Sequence, residues 1–597
     1  MTAGVYPEPI LTAILKKGQH QSMKAKRAEY GSDVIVDLLK AYHIEYAALN
    51  PGSSFRGLHD SLVNYGGNRN PEIILCCHEE TAVCMAFGYA RVKGKPMVAI
   101  VHDIVGLQHA TMGIYNAWTS RVPVIVMGGT GPMNTAKRRP GIDWVHTALV
   151  QGEQVRNYVK WDDQPASVES FPESFARAYR LATLEPQGPV YLCYDVTLQE
   201  QRIKSPIPAA NLARFPAPTA IQAPDDIFET IIDWLLQSRH PLMVVDGAGR
   251  SEAAFTALGQ LAELLSIPVL DRGGRFNFPT RHPLNLSGLE KELLPRADLI
   301  FGVDAPEIGG IIARASAKAK TVHVSLHELL VRSWSHDYDK LARIDMPVLA
   351  DSKIFLPELV RRLKKEKTRL GKIQSTLERR AAEISKLRSK LLRSIDQERR
   401  KQWDKAPISS LRLAAETAGA LEKENWVLTQ ASPTFVERHF LDCRDFNQFA
   451  GKRRYGGVGV GLPSSLGAAL AFKGSGKICV GFQPDGDFLF GPSSLWTAAH
   501  YEIPLLMIVF NNRSYYNDQQ HQKDVAIERR RPLENHTIGI RLESPNVNFA
   551  RLAEAYEVRG FGPVTEPGEL GQILREAVRY VKNKGQPAVV DVVTQNR

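Results

Sequence analysis

Two strand-length apolar runs, Ile478–Gln483 and Leu505–Phe510, each end in residues that favour hard cations: Pro484-Asp485-Gly486-Asp487 after the first and Asn511-Asn512 after the second. Neighbouring parallel strands joined by one helix would set a carboxylate and an amide side by side at their C-terminal tips, where open α/β sheets bind ligands. Asp485 and the side-chain oxygen of Asn512 suit Mg2+ or Ca2+, and a helix beginning near Pro492 would aim its amides at a phosphate bridged by the ion. Either half alone would more often be a turn Asp capping a helix or a plain Asn-Asn loop. The pair at this spacing favours a metal and phosphate site.

Three further segments carry chemistry. His78-Glu79-Glu80 follows the apolar run Glu72–Cys76; a carboxylate buried at a strand end away from cations holds its proton above the usual range and can share it with a ligand. The competing reading is a solvated helix N-terminus, where the macrodipole favours acids. His102 ends the run Met97–Val101, and an imidazole there can donate to a developing oxyanion or protonate a carbon at neutral pH. A packed histidine is the alternative, and His109 is a rival for the role. Arg454-Tyr455-Gly456-Gly457-Val458-Gly459-Val460-Gly461 lets backbone approach a flat ring, although tight packing explains such glycines equally well.

Positioning these residues calls for parallel sheets, because strand-length apolar runs alternate with longer amphipathic stretches from about Tyr30 to the end. The fold class is α/β, with three doubly wound parallel-sheet domains. The boundaries expected are an N-terminal extension at 1–29, a first domain at 30–200, a Pro- and Ala-rich linker at 201–225, a middle domain at 226–363, a basic helical linker at 364–405 and a last domain at 406–597. A length of 597 residues agrees with several domains at roughly 150 each.

The formal net charge is +11, and residues 361–401 alone carry 16 basic and 5 acidic side chains, so one segment holds the whole surplus. Leu363, Leu370, Ile373, Leu377, Ile384, Leu387 and Leu391 recur through it at helical spacing, which reads as an amphipathic helix packed on its own domain rather than a nucleic-acid or membrane surface. The remote alternative is a non-catalytic scaffold binding RNA or membrane through that segment. Six cysteines without a C-x-x-C pair argue against a disulfide or zinc framework. No signal peptide or membrane-length apolar run is seen, so a cytoplasmic location is expected.

The stretch from Asp485 through Leu495-Trp496-Thr497-Ala498-Ala499 to Asn512 resembles the signature of thiamine-diphosphate-dependent enzymes, and looks most like benzoylformate decarboxylases and their acetolactate synthase-like relatives. The resemblance covers about residues 30–597 and implies a pyrimidine-binding first domain and a diphosphate-binding last domain. It implies thiamine diphosphate and Mg2+ as cofactors, with Asp485, Asn512 and the Ser514 carbonyl as metal ligands. Gly486, Asp487, Ser432, Gly456 and Val458 join the cofactor-binding set; Pro484 replaces the usual first Gly, Val458 is smaller than the usual prop, and the charge of Asp487 would repel diphosphate unless it points away. Alignment on Gly88-Tyr89-Ala90 selects Glu79 as the carboxylate that activates the cofactor. Asn50-Pro51-Gly52-Ser53 and the alignment of His102 on Gly106 match the decarboxylases, which implies that Ser53 contacts the substrate carboxylate and His102 carries protons.

The function implied is decarboxylation of a 2-oxo acid, with a carboligase resembling acetolactate synthase as the alternative. Against the closest analogy, residues Asp304 to Gly310 hold no His where those decarboxylases have a second one. The polar run Arg513 to His521 suggests a polar substrate. Asp246-Gly247-Ala248-Gly249-Arg250 lacks a full dinucleotide fingerprint, so FAD is not expected. The family implies a homodimer or homotetramer with active sites at the subunit interface, Glu79 and Asp485 of one site coming from different chains.

Overall fold

The computed structural model describes residues 27–208, 215, 217–330, 342–432, 434–452 and 456–596. Most of the expected N-terminal extension and, in the glycine-rich run, Arg454 and Tyr455 lie outside the described residues.

Continuous apolar runs become strands buried on both faces, as parallel sheets require. The first sheet contains β1 (Tyr46–Leu49), β2 (Glu72–Leu75), β3 (Val98–Val101), β4 (Ile125–Thr130), β5 (Asp162–Asp163) and β6 (Val190–Asp195) in the order β2-β1-β3-β4-β6-β5. The second contains β7 (Pro241–Val245), β8 (Val269–Asp271), β9 (Leu299–Val303), β10 (Lys320–Ser325) and β11 (Met346–Leu349), ordered β11-β10-β9-β7-β8. In the third, β12 (Trp426–Gln430), β13 (Ile478–Pro484), β14 (Leu505–Asn511), β15 (Arg559–Val564) and β16 (Ala588–Val593) run β12-β13-β14-β16-β15. All their pairings are parallel. This is the three-sheet α/β architecture expected of the sequence.

Four helices frame the site, and a fifth carries the basic segment. They are α1 (Glu79–Lys93), α2 (Ile104–Thr119), α3 (Gln374–Lys401), α4 (Gly461–Phe472) and α5 (Ser494–His500). The basic segment divides at Ile373 into a short helix, Lys367–Lys372, and α3. Leu377 and Ile384 of α3 are buried, and the Arg380 guanidinium donates to the carbonyls of Ser238, Arg239 and Leu265 of the middle domain. The apolar face therefore has its cover within this chain.

The first and last domains meet along α1 and α4. A Cβ on Gly88 would lie 1.9 Å from the Ser464 carbonyl oxygen, and one on Gly467 would lie 2.0 Å from the Met85 carbonyl oxygen, so the two backbones approach where no side chain fits. Tyr501 adds a hydrogen-bonded strut: its Oη accepts from the Leu75 N–H (2.8 Å) and donates to the Ile73 carbonyl (3.1 Å). The Thr497 hydroxyl donates to the Leu75 carbonyl (3.0 Å). At this boundary Glu80 has a buried Oε1 without a hydrogen-bond partner, and burial, with the Asp487 charge adding, pushes its carboxyl up to about 7.

The folded chain thus holds the Glu80 proton more tightly than the unfolded chain does, and stability falls as pH rises from the ordinary value of 4.5 through about 7. Glu80→Gln should leave thermal unfolding at pH 5 nearly unchanged and raise the midpoint by several degrees at pH 8. Equal shifts at the two pH values would count against a buried, proton-holding Glu80.

Candidate active site

The C-terminal ends of β1, β2 and β3 bring together the Asn50–Ser54 turn, His78 and His102. Gly52 and Gly106 make this possible, because a Cβ on either would lie 2.8 Å from the Cβ of His102. The same added Cβ at Gly106 would lie 3.1 Å from Glu79 Oε1, so His102 and Glu79 flank one glycine at the start of α2. Ser53 lies on the same turn, lining an open cleft with Pro51, Gly52 and Arg56. It is Ser54, not Ser53, that reaches His102: its Oγ is 2.8 Å from Nδ1 and accepts the Asp103 N–H at 3.1 Å.

Around His102 stand groups that the sequence reading did not single out. Asp103 is 2% exposed, and its Oδ1 lies 3.2 Å from His102 Nδ1 and 3.8 Å from His146 Nδ1. His146 Nδ1 is 3.4 Å from His102 Nε2. Burial, followed by the nearby His146, lowers the His102 pKa, while burial and Asp143 push Asp103 up to about 7. Asp103 was readable as the neighbour of His102, and Ser54 as the second Ser of its turn. His146 arrives from a loop beyond β4 and carries no spacing signal.

Glu79 is 6% exposed but not isolated, since His109 Nδ1 lies 3.1 Å from its Oε2. The His109 ring stacks on His78 at 4.9 Å between centroids. His109, considered as a rival to His102, is thus the partner of the carboxylate. Where no cation beside Glu79 was expected, the structure places a histidine, which forms a charge pair with the carboxylate only when protonated.

In the last domain β13 and β14 are adjacent and parallel, with Pro484 opposite Phe510, so Asp485 and Asn512 emerge from neighbouring strand ends. Asp485 is 1% exposed. Its Oδ1 accepts the Gly486 N–H at 2.8 Å, while Oδ2 is buried and has no partner. Burial pushes this carboxyl up to about 6, held back by the backbone N–H groups of Gly486, Arg513 and Ser514. Arg513 takes a left-handed backbone (φ 56°), and Asn512 Oδ1 accepts the Ser514 N–H at 3.1 Å, folding a tight turn whose amides face Asp485. The Ser514 side chain is directed elsewhere, its Oγ donating to Gln519 at 3.0 Å. Gly486 has Tyr515 packed against it, where a Cβ would meet the ring at 2.4 Å. An orphaned carboxylate oxygen next to an amide oxygen and a turn is a donor set that fits a hard divalent cation.

Asp487 points away from that position. Its Oδ1 accepts the Gly459 N–H and its Oδ2 accepts Gln483 Nε2 at 2.6 Å, so the carboxylate ties the glycine-rich run to β13. Gly459 requires its glycine for conformation as well (φ 97°). Gly456 faces Asn116 of α2, whose Oδ1 would lie 1.5 Å from an added Cβ; close packing of the two domains accounts for this glycine. Val458 is 38% exposed beside it. Ser432, 4% exposed, is committed to Glu437, to which both its N–H and its hydroxyl donate. In the middle domain the Gly247–Arg250 turn is occupied by protein groups, with Arg250 paired to Asp304 at 3.4 Å and Glu185 at 3.5 Å. Among the described residues no helix is long and apolar enough to cross a membrane.

Comparison with known proteins agrees with this arrangement at the level of the whole chain. Residues 30–154 match the N-terminal TPP binding domain of thiamine pyrophosphate enzymes, and residues 432–592 match the C-terminal TPP binding domain. A probable acetolactate synthase large subunit of Methanococcus aeolicus is 24% identical over 594 residues, covering 94% of this chain and 91% of that protein. A benzoylformate decarboxylase of Pseudomonas aeruginosa is 26% identical over 564 residues, covering 90% and 96%. The crystal structure of benzoylformate decarboxylase from Polynucleobacter necessarius has the same fold, with a TM-score of 0.75 at 20% identity over 96% of this chain and 99% of that one. Both cofactor-binding domains are matched at the two ends where the strand-end carboxylates lie, and the chain belongs to the thiamine pyrophosphate (thiamine diphosphate) enzyme family.

Proposed function

We propose that this chain is a thiamine-diphosphate- and Mg2+-dependent decarboxylase of a 2-oxo acid. The observation that carries the reading is the placement of His102 and Glu79 on either side of Gly106, an imidazole and a carboxylate at the strand ends of the matched N-terminal domain. Asp485, through its unpartnered Oδ2, Asn512 through its side-chain oxygen and Ser514 through its carbonyl would hold the Mg2+. When bound, the cofactor would supply a nucleophilic carbon and a sink for the electron pair left behind as CO2 departs. Glu79, buried beside His109, is the carboxylate that would exchange a proton with the cofactor's aminopyrimidine. His102 delivers the proton that completes the product, and Ser53, on the open side of its turn, is placed for the substrate carboxylate. Asp487 holds the glycine-rich run in place, and its charge is met by the Gly459 N–H and the Gln483 amide.

A second reading, transfer to a second carbonyl, is favoured by the relatives named acetolactate synthases. Incubation with a panel of 2-oxo acids, polar ones included, should release CO2 and the corresponding aldehyde in equal amounts, and only with thiamine diphosphate and Mg2+ present. A ligation product of two carbonyl compounds without aldehyde release would replace decarboxylase with carboligase.

We also infer a homodimer or homotetramer with active sites between subunits. An exposed apolar group at the glycine-rich run supports it: Val458 (38% exposed), Phe490 (57%), which packs on Gly459, and Met112 (39%), which packs on Gly457. Glu79→Gln chains mixed with Asp485→Ala chains should regain about a quarter of the wild-type activity under random exchange, because only one of the two sites of each mixed dimer is intact. No recovery despite demonstrated exchange would place both residues in one chain.

A further inference from the structure

We propose that His146 and Asp103 form a proton relay with His102, in which His146 shares the proton that His102 delivers and takes its replacement from solvent. The inference rests on the reading of His102 as a proton carrier, and it adds two residues that act through it. His102 has both ring nitrogens engaged: Nδ1 faces Ser54 Oγ at 2.8 Å and Asp103 Oδ1 at 3.2 Å, and Nε2 faces His146 Nδ1 at 3.4 Å. The two rings meet edge to face with centroids 5.4 Å apart. Asp103 Oδ1 lies near the Nδ1 atoms of both rings, is buried, and has no hydrogen-bond partner. A buried carboxylate oxygen left over between two imidazoles is costly in a purely structural contact, but it stabilises an imidazolium passing through. His102 is the inner ring, with its side chain 14% exposed, and His146 the outer, at 27%.

The proton balance follows from this order. When His102 Nε2–H gives its proton to the reacting carbon or oxygen, the Nε2 lone pair is left facing His146 Nδ1–H. His146 takes a proton from water at Nε2 and passes its Nδ1 proton to His102, which leaves His146 as the other tautomer; exchange with water, losing the Nε2 proton and regaining one at Nδ1, resets it, so each turnover moves one net proton from solvent to product. Other charges around the pair are Glu79, which favours protonated His102, and the Arg139–Asp143 ion pair (2.7 Å), whose Arg opposes it. Arg139 also restrains Asp103, whereas Asp143 raises it.

Histidine titration by NMR of protein labelled at histidine Cε1 tests the relay without relying on turnover. In wild type, the His102 signal should titrate below the ordinary histidine range, held down by burial and by the neighbouring His146. In His146→Gln, His102 should titrate at higher pH, because the opposing imidazolium is gone; His146→Phe, which keeps a ring without nitrogens, should do the same. A His102 curve unchanged in both variants would overturn the relay. On the true substrate, His102→Ala should lower kcat by about 10²–10⁴, the range of a positioned acid or base. His146→Gln should shift the pH dependence of kcat with KM nearly constant. Wild-type turnover in His102→Ala would sink the underlying role of His102, whatever the titration shows, whereas a slow His102→Ala with an unshifted His146→Gln profile would sink the relay alone.

Discussion

The close approach of α1 and α4 is the constraint on which the other arrangements rest. Gly88 against Ser464, and Gly467 against Met85, allow two helices from opposite ends of the chain to touch backbone to backbone. Glu79 begins α1, nine residues before Gly88, so it lies about 14 Å along the helix from that contact. Gly461 begins α4 three residues before Ser464, and the glycine-rich run leads into it. Fixing the two helices therefore fixes the carboxylate and histidine end of the first sheet relative to the glycine-rich run of the third. The Tyr501 and Thr497 hydrogen bonds to the end of β2 restrain the same relationship from the other side.

A second regularity is the set of buried carboxylate oxygens left without partners at these strand ends: Asp103 Oδ1, Asp485 Oδ2 and Glu80 Oε1. Isolated, each is a cost to folding, since desolvation raises all three carboxyl pKa values. The surroundings differ in kind. Asp485 faces the backbone amides of Gly486, Arg513 and Ser514, a setting that a cation would suit. Asp103 faces two imidazoles, a setting that a mobile proton would suit, and Glu80 faces Asp487 and keeps its own proton to about neutral pH.

Much of this was legible in the sequence because the central strands are buried on both faces and announce themselves as unbroken apolar runs. The strands that escaped are edge strands with broken patterns: β11 contains Pro347, β15 contains Gly560, Gly562 and Pro563, and β5 is two residues long. At the site, Asp485, Asn512 and His102 were readable because each directly follows a strand, and Glu79 because it opens the helix just after one. His146 was not, since it reaches His102 across a loop and only the folded chain brings them together. Glu80 looked like the spare member of an acidic pair, and its burial against Asp487 depends on a domain contact hundreds of residues away in sequence. Ser53 and Ser54 were indistinguishable by type, and the direction of the turn decides which one meets His102.

The central claim is that the β13 and β14 strand ends hold a divalent cation together with the cofactor's diphosphate. Electron paramagnetic resonance with Mn2+ replacing Mg2+ tests it most directly. The account predicts a stoichiometric bound-Mn2+ signal in wild type only when thiamine diphosphate is added, lost in Asp485→Ala and Asn512→Ala variants that remain folded. Cofactor-dependent Mn2+ binding in those variants at wild-type affinity would contradict it.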